Sequence, residues 1–590
     1  MELMILVKYF QYLDPLTQVN QLINHSIMNK HFFSRLFVIL VCLSFLAACK
    51  NSNNDNNTDA KLISSEIKSL FNNYKQNTRL IEDSILLSSP DETLSSYDTK
   101  SYDPFWIEPN GLSDNGKSLI KFIENATNFG LIPEAYNAII LSNNYNSIFA
   151  DSLWKNARKD SKKWAKLDIL LTDAFLSISR HLDCGYVPLD SLKKDSTYNP
   201  EKYKEALYKI FASKNVQSIL ESFEPTSLAY TNIKRELPQF LKNADLSKKY
   251  TYLEYPIKNS EKFITKLIVR SKEENLIPDN IQTLDSIELS ALIKKIQEKK
   301  NIVVDGKYGR QLVLALNNSD YEKYLKIVIN MDRLRRNREI YPKKYLWVNL
   351  PSFYLQVYDN GEAKVESKVI IGKPNTRTPL ITSKINEITT YPNWTIPSSI
   401  ISKEILPNIK KNNGYLNKKG YSLYDTDGKL INPDSVNWSN YEKGIPFKVV
   451  QPGGDANSLG IMKFNFPNKY SVYLHDTNQR GLFNNDYRSL SHGCVRVQNW
   501  DSLYKYIILS DIKESEDIAS KNIIVDSVKS WLSSKKRRSI PVVNELPIFI
   551  RYFTAESKNG KIELYEDVYG EDNKIRNMII KSITPSVPLN

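Results

Sequence analysis

Hydrophobic positions along this chain change period, and the change marks a change of architecture. From about Asp59 to Phe263, Leu, Ile, Phe and Tyr recur at three- and four-residue steps, as in Leu167 to Leu176 and Ile219 to Phe223. That spacing gathers apolar side chains on one stripe and predicts helices, interrupted at Pro104, Pro133, Pro188 and Pro200. A second unit, about Thr265 to Asn330, predicts two helices, Ser286 to Lys299 and Arg310 to Asn317, around the turn Val304-Asp305-Gly306-Lys307-Tyr308-Gly309. From Tyr345 the period shortens to two. Leu346 to Leu350 and Phe353 to Tyr358 alternate as strands, Asp359-Asn360-Gly361-Glu362 turns the chain, and Ala363 to Ile371 follows. Gly372 to Pro379 is then a loop, and Pro547 to Ala555 is a late strand.

Short strands with frequent Gly and Pro turns indicate a mostly β sandwich or barrel. The expected class is therefore α+β: a helical scaffold at 61–263, a small helical domain at 265–330, and a mostly β domain at 343–575. Within the last, about 393–462 is an insertion with one helix (Ser398 to Lys411) and polar loops, a candidate lid.

Composition narrows the class. The 590 residues are 41% hydrophobic, enough for two to four domains with proper cores. A formal charge of +14 would suit nucleic acid, but no zinc-finger spacing, basic region with heptads or aromatic RNA-binding motif accompanies it. The run Lys535-Lys536-Arg537-Arg538 is expected to be a solvated loop, and basic surface elsewhere suits an anionic bacterial envelope.

The first residues point to export. Asn29, Lys30, His31 and Arg35 form a basic region ahead of the apolar run Leu36 to Ala48, too short to span a bilayer comfortably. Translation is expected to start at Met28. Leu46-Ala47-Ala48-Cys49 resembles a bacterial lipobox, cleaved before Cys49 and lipidated there, with the polar segment from Lys50 as tether to about residue 60. Cys42 would leave with the signal, so Cys184 and Cys494 alone remain in the folded body. They lack paired-framework spacing, so free thiols are expected, and the ligands are too few for a metal site.

The chemistry concentrates in Ser491-His492-Gly493-Cys494-Val495-Arg496-Val497, with Val472-Tyr473-Leu474-His475-Asp476 upstream. A thiol attacks carbonyls as the thiolate, and an imidazole is the usual means of generating it near neutral pH. Spacing does not decide between the two histidines. His492 is nearer, and two residues from Cys494 on a strand it would share a face.

These motifs resemble the L,D-transpeptidase (YkuD-type) family, whose signature is an upstream histidine followed by Ser/Thr-His-Gly-Cys. The likeness is greatest to a large Gram-negative subgroup with a helical scaffold, a peptidoglycan-binding-like domain and a capped catalytic domain. It runs through Asn330-Met331-Asp332-Arg333, Ile371-Gly372-Lys373-Pro374, Lys403 to Pro407, Phe483 to Val497 and Tyr552-Phe553-Thr554-Ala555. The resemblance implies Cys494 as nucleophile and His475 as general base and acid, with an oxyanion hole from backbone N–H groups at Tyr473, Gly493 and Cys494. Ser491, His492, Arg496 and Trp394 would shape the substrate site, Arg496 meeting either a stem carboxylate or Asp476. It also implies peptidoglycan tetrapeptide stems as donor and acceptor and no cofactor; with the lipobox at Cys49, the expectation is a lipid-anchored protein facing the periplasm. L,D-carboxypeptidase action, cleavage of protein–peptidoglycan links and a silent wall-binding lipoprotein are the alternatives.

Overall fold

The computed structural model describes residues 60–583, apart from 73–79, 82–84, 109–110, 144–159, 188–190, 192–197, 214 and 512–517. The expected signal, Cys49 and all but the last residue of the tether lie outside the described residues. The architecture is α+β, with four hydrophobic cores.

The first core is helical. Its axis is helix α1 (Ser161–Cys184), almost all of whose side chains are buried. A helix buried on every side must satisfy its polar residues internally. Asp168 accepts the amides of Phe105 (2.9 Å) and Trp106 (2.8 Å) and the Tyr97 hydroxyl. One turn on, Asp173 accepts the amides of Ser88 and Ser89. Helix α2 (Asp320–Arg336) belongs to this core too, although the sequence ends the small unit at 330. Tyr324, Leu325, Val328 and Met331 face the scaffold, while Asn330 reaches the β domain, accepting the Thr554 amide and donating to its hydroxyl at 2.8 Å each. Arg333 pairs with Asp572 at 2.7 Å.

The small unit has its own core, drawn from Leu253 to Leu316. Its expected turn forms: Gly306 sits at φ +68°, where a side chain would be strained. The Gln297 side-chain carbonyl accepts the amides of Asp305 and Gly306, and Arg310 binds Glu566 of the β domain.

The β domain is a closed nine-stranded sheet. Its strands are β1 (Lys344–Asn349), β2 (Tyr354–Asp359), β3 (Glu362–Gly372), β4 (Ile381–Thr390), β5 (Met462–Asn465), β6 (Leu474–His475), β7 (Ser489–Ser491), β8 (Val495–Val497) and β9 (Arg538–Arg551). They pair in the order β7-β3-β8-β6-β5-β4-β9-β1-β2, and β2 pairs back onto β3, so the sheet closes. Leu346, Val348, Leu355, Val357, Phe464, Leu474, Val495 and Val497 fill one face. Helices Trp500–Asp511 and Ile518–Ser533 add to this domain where only strands were expected. The basic run is exposed, as expected of a solvated loop: Lys535 to Arg537 lie in the connection to β9, where Lys535 pairs with Asp455, and Arg538 opens the strand.

The insertion is more ordered than expected. Four short strands pair in the order Leu430–Ile431, Ser422–Tyr424, Lys448–Gln451, Trp394–Thr395. With Ile396, Ile401, Ile405, Ile409, Leu423, Trp438 and Val449 they bury a fourth core. The expected helix forms with one widened turn, a π-helical step at Ile401–Ile405. Pro407 follows at once; lacking an N–H, it cannot continue the regular ladder. Among the described residues, no helix is long and apolar enough to cross a membrane.

Candidate active site

Strand register assembles the site. Lys463 of β5 lies opposite His475 of β6, and His475 lies beside Arg496 of β8. Residues two positions along a strand share a face. Tyr473, two before His475, and Cys494, two before Arg496, therefore join the same face as the row Lys463–His475–Arg496. The alternate residues Phe464, Leu474 and Val495 point into the core. The alternation that builds the core thus also lines up the polar groups.

His475 is buried, at 4% exposure. Its Nδ1 lies 2.5 Å from the Asp476 carbonyl. A carbonyl only accepts, so Nδ1 carries the proton and Nε2 keeps its lone pair. Burial, reinforced by the Arg496 charge, pulls the imidazole down to about 3. It is neutral at physiological pH and able to take a proton.

Cys494 follows a sharp turn. Gly493 sits at φ +125°, a conformation that disfavours any side chain. Burial pushes the Cys494 thiol up, against the lowering influence of the Tyr473 amide and hydroxyl and of Lys463 and Arg496. Its Sγ also lies 3.9 Å from the Ser471 carbonyl. The resting site therefore holds a neutral thiol and a neutral imidazole rather than an ion pair. Cys184 and Cys494 are both free, and among the described residues no cluster could hold a metal ion.

The other expected residues divide. Ser491 is buried; its hydroxyl donates to the Cys494 carbonyl (2.7 Å) and accepts the Gly493 amide (3.1 Å). It builds the turn rather than lining an open groove, and it withdraws the Gly493 amide from the expected oxyanion hole. The Tyr473 amide, by contrast, is directed at the Cys494 sulfur. His492 bonds the insertion, which caps this site, its Nε2 lying 2.5 Å from Glu404 Oε1. Asp476 is not the partner of Arg496: it pairs with Arg480 at 2.8 Å and accepts the Ile461 amide. Arg496 instead donates to Gln479 at 3.0 Å, with its Nε buried and unpartnered. Trp394 hydrogen-bonds Tyr473 from the cap strand.

Sequence reasoning missed the cradle under the turn. Thr378 donates to the Gly493 carbonyl (2.8 Å) and accepts the Gly372 amide (2.9 Å), while Thr376 and the Lys373 amide bond the Ser491 carbonyl. Gly372 is required here, since a Cβ would lie 2.1 Å from the Thr376 carbonyl oxygen. The only hint was Ile371-Gly372-Lys373-Pro374. Lys463, from the same row as His475, had no motif to announce it.

The residues of this site fall within a segment that matches a known domain. Residues 343–513 match the L,D-transpeptidase catalytic domain of YkuD type, and residues 91–237 match a scaffold domain. A protein of Haemophilus influenzae named "Putative L,D-transpeptidase" is 37% identical over 303 residues, covering 50% of this chain and 59% of that protein. The chain thus spans under two thirds of that relative's length. Among solved structures, an L,D-transpeptidase from Mycobacterium smegmatis shares 13% identity over 35% of this chain and 58% of its own, with a TM-score of 0.17.

Proposed function

We propose that this chain, whose residues 343–513 match the L,D-transpeptidase catalytic domain, cross-links peptidoglycan stem peptides 3→3 through a thioester on Cys494, releasing D-alanine. The observation that carries the reading is the register that sets Cys494, Tyr473 and neutral His475 on one face of the closed sheet, beside the cap.

His475 Nε2 takes the thiol proton as sulfur attacks the carbonyl joining the third residue, diaminopimelate, to the terminal D-alanine. The amides of Tyr473 and Cys494 donate to the oxyanion that develops. The C–N bond breaks, the proton passes from His475 to the departing amine, and a thioester remains. The side-chain amine of a second stem's diaminopimelate then attacks the thioester. His475 takes that amine's proton and returns it to the Cys494 sulfur as the C–S bond breaks. The thioester conserves the energy of the broken peptide bond, so no nucleotide is consumed. In the same reading the chain is exported, held by lipid on Cys49 and facing the periplasm; the tetrad Leu46-Ala47-Ala48-Cys49 supports this.

The test is incubation of the soluble body with purified disaccharide-tetrapeptides, with Cys494→Ala in parallel and products read by mass spectrometry. Cross-linked dimers lacking one D-alanine, absent with the variant, are expected. Tripeptide monomers alone would replace transpeptidation by carboxypeptidation. A variant as active as the parent would remove Cys494 from the chemistry.

A further inference from the structure

Buried cations in this protein are generally matched by acids or carbonyls. Arg333 pairs with Asp572, Arg551 with Glu339 and Arg576 with Glu322. The site breaks this habit twice. Arg496 is half-buried with one contact to the neutral Gln479 side chain and a buried, unpartnered Nε. Lys463 is half-buried on β5, its Nζ 4.0 Å from the centre of the Tyr473 ring. Among the described residues neither has a carboxylate within ion-pair distance. The carboxylate felt by Lys463, Glu387, is held by Asn465 (2.7 Å) and Thr389 (3.1 Å). Both charges are partly withdrawn from water with no carboxylate partner, an arrangement that a bound anion would relieve.

We propose that Lys463 and Arg496 form a two-cation clamp that seats a carboxylate of the donor peptide over the row Lys463–His475–Arg496, next to the Cys494 thiol. The register fixes the geometry: the two cations stand on either side of His475, and the thiol is one step along the same face. A carboxylate bridging them would lie above the imidazole, with its neighbouring carbonyl within reach of sulfur. The substrate class is a peptide carrying a free carboxylate close to the scissile bond. A tetrapeptide stem offers two, the terminal D-alanine carboxylate and the side-chain carboxylate of the third residue. Lys463 becomes a specificity residue, binding through a point charge, while Arg496 supplies a planar fork suited to carboxylate. This deepens the reading above and rests on Cys494 as nucleophile.

Two alkylating reagents test the clamp without the natural substrate. Iodoacetate and iodoacetamide both form an S–CH2 bond at Cys494 and release iodide; only the former carries a carboxylate. Rates at Cys494 are measured by peptide mass spectrometry, which separates it from Cys184. The iodoacetate-to-iodoacetamide ratio should fall roughly tenfold in Lys463→Met and in Arg496→Gln, the equivalent of about 1.4 kcal/mol per lost charge contact. Lys463→Arg, which keeps the charge, should retain the ratio and guards against misfolding as the cause. Equal loss of both rates would mean that the cations act only on the thiol, and an unchanged ratio would also overturn the clamp. A Cys494 silent to both reagents would instead defeat the nucleophile reading, and the clamp with it. Stems amidated at one carboxylate or the other identify the source. The relevant amide should raise KM roughly tenfold for the parent and leave Lys463→Met unmoved; no effect of either amide would overturn the clamp.

Discussion

Acidification gives the most direct check on His475. An imidazole with the ordinary value of about 6.5 is only ~3% neutral at about pH 5, and a base of that kind would lose roughly 30-fold in rate from about pH 7.5. Burial and the Arg496 charge instead bring His475 to about 3, which leaves it ~99% neutral at about pH 5. The sign is fixed by the role. A base works above its own value, so its activity is lost only as pH falls through about 3. Because the thiol is raised rather than lowered, the reacting pair is neutral throughout this window. Acylation of Cys494 by p-nitrophenyl acetate, followed by intact-protein mass with Cys494→Ala as background, should vary less than about threefold between about pH 7.5 and 5. Arg496→Gln removes the second cause of the depression and should move the acid limb upward, still short of the ordinary histidine value because burial remains. A 30-fold fall in the parent would show His475 titrating normally and would refute the argument from its buried, tethered Nδ1.

Further predictions concern the frame. Gly372→Ala drives a Cβ into backbone atoms of Thr376 and Thr378 and should cost about 3 kcal/mol or more; Gly361→Ala, with open space around its Cβ, should cost about 1 kcal/mol, both read by thermal melting. Asp168→Ala orphans the amides of Phe105 and Trp106 in the scaffold core and should destabilise by about 3–5 kcal/mol in denaturant titration. Glu556, raised to about 7 by burial, favours its neutral form when folded. Its contribution is fully present below about pH 4 and is lost as pH rises to about 7, on the order of 3 kcal/mol. Glu556→Gln should flatten that slope in melting curves and be the more stable protein at about pH 8. Glu404→Gln weakens the contact of the cap with His492, worth about 1 kcal/mol at this exposure, and should speed hydrogen exchange in residues 398–411.

Much of this architecture was legible because it repeats a simple period. Helical spacing announced α1, and strict alternation announced β1 to β3. What the pattern concealed was depth. Asp168 and Asp173 look like surface positions, yet they sit inside the scaffold because they anchor backbone amides from a distant segment. The cap sheet was invisible for a different reason: its strands are two to four residues long, too short for alternation to register. The cap core is instead assembled from isolated residues such as Trp438 and Val449, brought together by long-range pairing.

At the site, Cys494 and His475 were legible because a contiguous motif carries each, whereas Lys463 arrives through strand register, and Thr378 and Glu404 through a loop and a helix, from far along the chain. That same register ties catalysis to stability. In β5, β6 and β8, each polar site residue is flanked by a core residue facing the other way: Lys463 by Met462 and Phe464, His475 by Leu474, Arg496 by Val495 and Val497. Sliding β6 by one residue would place Leu474 between Lys463 and Arg496 and push His475 toward the core, inverting both faces at once. The hydrophobic face therefore acts as the lock on the polar one. Deleting one residue between Asn468 and Val472 leaves this pairing chemically intact, so β6 should keep its register and the loop should absorb the change. Deleting Leu474 itself leaves no such choice. Cys494 acylation should then fall to the background of Cys494→Ala while the scaffold core still melts near the parental temperature; acylation surviving that deletion would show that the site is positioned by something other than strand register.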